Sequence, residues 1–254
     1  MRRKCLGVVV PVALLCIWEA VWHIDALRME SVSHPWEVAV AFYRGLLDGS
    51  ILFLTLQTFE SALLGFAIAA AIGVAVGVFL GLAPRAERIV GPSIDLMRPV
   101  PSVALIPLAL MIYGFGVKME ASIVAFACVW PVLIVTIAAV RSIDPGLLEV
   151  ARVLQMTAAE RTFKIVLPAA AGRIVVGLQL ALAISLVVAV TVEIVINPRG
   201  LGYGMMSAQQ SMHFDKMYAQ LLWIGVVGWG LSFISQKALD RWSPQLGVTR
   251  EGQP

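Results

Sequence analysis

The sequence predicts an all-α, polytopic membrane protein: six transmembrane helices with one helical cytoplasmic insert. Three observations carry that fold class. Of the 254 residues, 59% are hydrophobic and only 14% charged, against about 25% charged in an average soluble protein. The apolar residues gather into six runs, 6–22, 54–82, 100–115, 121–140, 169–196 and 217–239, and about 20 such residues suffice to cross a bilayer as a helix. With the N-terminus placed in the cytoplasm, 14 of the 19 Lys and Arg residues fall on the inner side, as the positive-inside rule requires. Both termini are then cytoplasmic, and residues 1–254 form a single transmembrane domain. The net charge of +3 is the same bias, so it argues for a membrane-lipid surface and not for nucleic acid.

The first run ends in Trp18-Glu19-Ala20-Val21-Trp22, a plausible interfacial aromatic belt. No small-residue cleavage pattern closes it, so it is predicted to be a retained anchor rather than a signal peptide. Glu19 falls in the outer part of the bilayer, where it reaches the interface or pairs inside the bundle. Outside, Ser33-His34-Pro35-Trp36-Glu37-Val38 opens a short helix along the surface.

The second run carries Gly65, Ala69, Gly73, Gly77 and Gly81. Small residues every four positions let helix backbones approach closely in lipid, with a partner in the same chain or in a second copy. Glu60, before this ladder, is expected to be solvated. In the third run, Arg98-Pro99-Val100-Pro101-Ser102 and Pro107 interrupt the helical pattern, because proline lacks the backbone donor. Irregular backbone in a membrane is tolerated where it is buried in protein or lines a watery cavity, so Pro101 and Pro107 are pathway candidates. Pro131 interrupts the fourth run in the same way.

Between the fourth and fifth runs lies the one long polar interruption, residues 141–168. Asp144 is a good N-cap and Pro145 suits the first helical position. Leu147, Leu148, Ala151 and Leu154 then share a face. Thr157 followed by Glu160 spells a capping box and a second helix start, and Pro168 marks entry to the next apolar run. Two amphipathic helices this short are marginal alone, so the segment is predicted to dock on a partner.

The fifth run leads to Glu193, about 36 Å of helix beyond Ala169 and so near the outer surface. Glu193 either lines or gates a path or forms an interfacial ion pair. Asn197-Pro198-Arg199-Gly200-Leu201-Gly202-Tyr203-Gly204 follows as a glycine-rich turn. It lacks the Lys-Ser/Thr ending of a phosphate loop. There is also no His-Glu-x-x-His, and no nucleophile–base constellation is visible. Cys5, Cys16 and Cys128 lie in or beside apolar runs and suggest no disulfide framework. The chain is therefore read as a non-enzyme, with no cofactor or metal of its own.

From Glu149 the sequence resembles the permease subunits of bacterial ATP-binding-cassette importers. Their cytoplasmic signature is Glu-Ala-Ala, three residues, Gly, nine residues, then Ile-x-Leu-Pro. Glu149, Ala151, Ile165, Leu167 and Pro168 match in register. Val150 replaces an alanine, and Gln155 stands where the signature has its turn glycine. Either Gln155 adopts the turn or the first helix ends differently before Thr157. Arg98-Pro99-Val100-Pro101 through Ile106-Pro107-Leu108, Val140-Arg141-Ser142-Ile143-Asp144-Pro145 and Gly200-Leu201-Gly202-Tyr203 resemble the nitrate, sulfonate, taurine and bicarbonate branch.

The resemblance implies a permease in a bacterial cytoplasmic membrane that imports a small solute, an anion of that branch or a vitamin precursor. It implies a second permease copy, two ATPase subunits that bind ATP and Mg, and an extracytoplasmic solute-binding protein. Asp144, Glu149, Ala151, Arg152, Gln155, Thr157 and Glu160 would then shape the ATPase-coupling segment. Pro101, Pro107, Glu193 and Tyr203 would be pathway or gate residues. The alternative is a self-sufficient secondary transporter or channel, which would place ionisable residues near the bilayer midplane. Glu19, Glu60 and Glu193 all fall nearer the outer face. Arg98, Arg141 and Arg173 sit at the inner edge, so solute selection is expected to rest mainly with the binding protein.

Overall fold

The computed structural model describes residues 32–242 together with Ala13 and residues 17–19. The first predicted span, 6–22, therefore lies largely outside the described residues. Among the described residues the chain is all-helical, with no strand.

Helix α1 (Pro35–Leu47) forms where a short helix is predicted to open. His34 caps it, its Nδ1 accepting from the Trp36 amide at 3.0 Å, and Glu37 completes a capping box. Glu19 pairs with His34, Nε2 to Oε1 at 3.2 Å. Asp48 and Gly49 turn the chain into α2 (Ser50–Leu82), with Asp48 Oδ1 accepting from the Ser50 amide at 2.9 Å and Gly49 at φ 74°.

The glycine ladder finds its partner inside the same chain, on α5 (Val117–Arg141). A Cβ on Gly65, Gly73, Gly77 or Gly81 would lie 2.6–2.8 Å from Val124, Val132, Thr136 and Val140 respectively. No real side chain tolerates that, so only glycine permits this approach. The two sets of numbers rise together, so α2 and α5 run parallel. The end of α2 and the start of α5 are then on opposite membrane faces, and residues 83–116 must cross back between them.

That return is where the structure departs from the sequence prediction. The third span was expected over 100–115. Instead α3 (Pro84–Met97) and the run Ser102–Tyr113 meet at a bend of 84°. The second arm is a 3-10 turn, Ser102–Leu105, and the eight-residue helix α4 (Ile106–Tyr113). Arg98, before Pro99, is still helical at φ −57°, ψ −44°, but Pro99 and Pro101 both lack the backbone donor that a continuing helix needs. Pro101 is extended at φ −63°, ψ 117°. Pro107, expected to interrupt a helix, sits in the first turn of α4, where its missing donor costs nothing. Pro131, a predicted interruption, lies within α5, which continues through it.

Short helices α6 (Pro145–Val153) and α7 (Ala158–Arg161) follow. Then come a π turn, Thr162–Val166, and α8 (Leu167–Val195). Helix α7 is not an isolated second helix, because it runs through the π turn into α8. Pro168 cannot donate to the carbonyl four residues earlier, and the wider π spacing lies over that position. Helix α8 packs antiparallel to α5, with Gly177 on Val135 and Cys128 Sγ donating to the Ala181 carbonyl at 3.2 Å.

The predicted turn after Glu193 is confined to the start of the glycine-rich run, residues 197–199. Gly200 starts helix α9 (Gly200–Gln210). Gly202 lies against Val190 and Glu193, and Gly204 lies against Leu54 and Gln220. These glycines serve close helix packing as well as the corner. Helix α10 (Phe214–Trp242) covers α1 and α8. The Trp223 indole donates to Thr55 Oγ1 at 2.9 Å, and Gln179 Nε2 donates to the Ser235 carbonyl at 2.6 Å. In all, four helices among the described residues are long and apolar enough to cross a membrane, and the bent pair forms a fifth crossing.

Candidate functional site

Two polar regions stand out on this apolar frame, one at each end of the α2–α5–α8 bundle. At the end that the charge distribution predicts to be cytoplasmic (the inner end, the opposite one being the outer), Asp144 Oδ1 accepts from the Gly146 amide at 2.7 Å and caps α6. Ile143 and Val166 join Val140 and Ala170 in a buried cluster, against which Leu148 packs. Ala151 is also buried, at 1% exposure, but Leu147, Val150, Val153 and Leu154 are exposed. The predicted single apolar face is thus split, with Leu148 and Ala151 holding the segment to the bundle. Leu147 and Leu154 are left outside.

The helix ends in a Schellman turn. The Met156 amide donates to the Ala151 carbonyl and the Gln155 amide to the Arg152 carbonyl, both at 3.0 Å. The motif wants a left-handed residue after the cap, usually glycine, and Gln155 takes that conformation at φ 51°. Thr157 then opens α7 with both halves of the capping box formed, at 3.1 and 3.2 Å. Lys164 Nζ holds Glu160 Oε1 at 3.1 Å. Glu149 and Arg152 are exposed on α6. Arg141 reaches back to Glu87 at 2.6 Å and braces the segment against the foot of α3.

At the outer end, Glu193 is not an interfacial ion-pair residue: it is 1% exposed. Its Oε2 accepts from the Gly202 amide at 2.8 Å. Gly200, at φ 80°, lies directly on its carboxyl group, so that any Cβ there would overlap Oε1. Glu120, in the first turn of α5, is equally buried, and its Oε2 accepts from Asn197 Nδ2 at 2.6 Å. Asn197 Oδ1 in turn accepts from the Gly116 amide at 3.1 Å.

From α2, Thr58 Oγ1 accepts from the Leu201 amide at 2.9 Å and Gln57 Oε1 from the Gly200 amide at 3.0 Å. Arg199 Nη2 holds Glu60 Oε2 at 2.8 Å at the exposed rim. The corner between α8 and α9 is thereby tied to α2 and α5 through side chains from both. Pro107 lies nearby, since Ile106 and Ala109 of α4 share a buried cluster with Met119 and Val192. Pro101 precedes that arm, and Tyr203 is half-exposed on α9. Glu120, Asn197, Thr58 and Ser61 were not among the sequence-predicted site residues.

A family model described as "Binding-protein-dependent transport system inner membrane component" matches residues 69–244. The chain belongs to this family. Among curated relatives, the putative aliphatic sulfonates transport permease protein SsuC of Bacillus subtilis (strain 168) is 29% identical over 222 residues, covering 87% of this chain and 80% of that protein. The bicarbonate transport system permease protein CmpB of Synechococcus elongatus is 29% identical over 240 residues, covering 89% and 86%. The taurine transport system permease protein TauC of Escherichia coli (strain K12) is 26% identical over 248 residues, covering 94% and 89%. Among solved structures, an inward-facing MetNI methionine ABC transporter superposes with a TM-score of 0.62 at 19% identity, covering 82% of this chain and 98% of that one. That likeness is one of fold. In this permease the family match takes in the whole inner polar segment and the α8–α9 corner, while Gln57, Thr58, Glu60 and Ser61 of α2 precede it.

Proposed function

We propose that this permease forms the membrane path of an ATP-driven importer for a small anion of the sulfonate, taurine, nitrate or bicarbonate class. It would work as a pair of copies with two ATPase subunits that bind ATP and Mg, fed by an extracytoplasmic binding protein. Its setting is a bacterial cytoplasmic membrane with both termini inside. The observation that carries this reading is the inner segment. It is a short helix capped at both ends and clamped to the bundle by Leu148 and Ala151. It turns Leu147, Val150, Val153 and Leu154 outward beside the exposed Glu149 and Arg152. Exposed apolar side chains held on a rigid, capped element suit docking to another protein. ATPase closure would push on this surface and switch the path between faces. The relatives named for sulfonate, bicarbonate and taurine transport support the solute class. Among the described residues, the central turns of α2, α5, α8 and α10 carry no Asp, Glu, His, Lys or Arg, which disfavours an ion-coupled carrier.

The test is a pull-down of the tagged chain from its native membranes in mild detergent, comparing wild type with Glu149→Arg. Glu149 is exposed, so the substitution leaves the fold alone. An ATPase subunit that co-purifies with wild type and is lost from the variant supports docking at α6. Uptake by the purified chain alone in liposomes, driven by an ion gradient, would overturn the proposal.

A further inference from the structure

The hydrogen bonds at the outer corner leave a remainder. Glu120 Oε1, Glu193 Oε1 and Ser61 Oγ are all buried, and none of them has a hydrogen-bond partner of ordinary geometry. They are not scattered. The Glu120 and Glu193 carboxyl groups lie within hydrogen-bonding reach of each other, Ser61 faces Glu120, and Thr58 faces Glu193. An ionised carboxyl group only accepts. Two ionised ones cannot bond to each other, and burying both charges together carries a steep desolvation penalty with repulsion added.

The available cation does not remove the difficulty. Arg199 Nη2 is engaged at the rim by Glu60; its Nε is buried without a partner and its charge acts on Glu193, but this one cation, already shared with Glu60, offsets at most one of the two buried carboxylates. Lys118, on the first turn of α5, is exposed. The remaining donors around the pair, the Gly202 amide and the Asn197 side chain, already serve the Oε2 atoms.

We propose that Glu120 and Glu193 hold one proton between them, and that this acid–carboxylate pair is the latch seating the α8–α9 corner on α2 and α5. The proton lies between the two Oε1 atoms, so one carboxyl group donates and the other accepts. The Ser61 hydroxyl can then donate into the same pair. The corner thus carries a buried proton site, whatever solute the permease moves. No bond beyond this hydrogen bond forms or breaks.

The full-length chain in lipid nanodiscs tests it by infrared spectroscopy at neutral pH. A protonated carboxyl group shows a carbonyl stretch set apart from ionised carboxylates, and the band shifts in heavy water. Wild type should show such a band, and both Glu120→Gln and Glu193→Gln should lose it. A band that survives in either variant, or is absent from wild type, overturns a shared proton.

Amide exchange at Gly200, Leu201 and Gly202 separates the latch from packing alone. Glu120→Gln keeps a donor toward Glu193 and should stay protected. Glu120→Ala should exchange about tenfold or more faster at this corner, with the rest of α8 unchanged. Equal protection in both variants would overturn the latch. So would wild-type protection that needs added sodium or calcium, which would make the ligand a metal cation instead.

Discussion

Ser61 on α2 and Glu120 on α5 face each other one helical turn above Gly65 and Val124, as the outermost rung of the row that joins these two helices. The rungs below are Gly73 with Val132, Gly77 with Thr136 and Gly81 with Val140. One face of each helix therefore changes from close apolar packing to buried polar contact within a single turn. The outer corner is seated on the same helix pair that forms the frame, so strain in one reaches the other.

Gly77→Val should pry this pair apart. A Cβ at Gly77 would stand 2.6 Å from Thr136 Cβ, and overpacking of this kind costs about 1–3 kcal/mol. Thermal unfolding in detergent should show a lower midpoint, and adding Thr136→Ala should recover part of it. An unchanged midpoint in the single variant would contradict the close α2–α5 approach.

Gln155→Gly should leave the inner turn intact and stabilise it. A non-glycine residue in the left-handed region costs about 1–2 kcal/mol, partly offset by the extra freedom glycine has in the unfolded chain. The thermal midpoint should stay level or rise. Gln155→Val, β-branched at φ 51°, should lower it.

Gly200→Ala should unseat the outer corner, because the new methyl group has no place beside the Glu193 carboxyl group. Exchange at the Leu201 and Gly202 amides should rise while α2 and α5 stay protected. Protection at wild-type levels would show that the corner can shift to admit a Cβ.

Asp48 gives a pH-dependent outcome. The Ser50 hydroxyl and then the Ser50 amide hold its carboxyl group below the usual carboxylate range. A depressed pKa means that its support for the start of α2 is complete above the ordinary carboxylate pKa and fades as pH falls through the folded value. Exchange at the first amides of α2 should be faster in Asp48→Ala than in wild type at neutral pH. The ratio should fall toward one in acid, whereas a ratio independent of pH would point to packing alone.

Much of this was legible in the sequence because local chemistry dominates it. Asp144, Thr157 and Glu160 cap helices within three residues of themselves, and the ladder from Gly65 to Gly81 is written at a fixed spacing. The partner of the ladder was not legible, since Val124 through Val140 look like any apolar row. The bend before Pro107 was read as a kinked span because two closely spaced prolines announce a break without giving its angle. The sequence puts Glu193 at the end of its span, but its burial depends on Gly200 and Gly202 folding back over it, a contact set by tertiary packing. Glu120 was missed, although a signal existed. Continued one turn outward, the row through Val124 and Cys128 arrives at Glu120, just as the ladder arrives at Ser61.

The unbroken passage from α7 through the π turn into α8 has a mechanical consequence. Residues 158–195 form a continuous helical rod about 55 Å long, at about 1.5 Å per residue, with the turn at residues 155–157 just before one tip and Glu193 at the other. A hydrogen-bonded helix resists stretching far more than it resists bending. An axial push of a few ångströms at Ala158 would therefore arrive at the outer corner nearly undiminished, and the wide π turn is the joint where a sideways push would be absorbed.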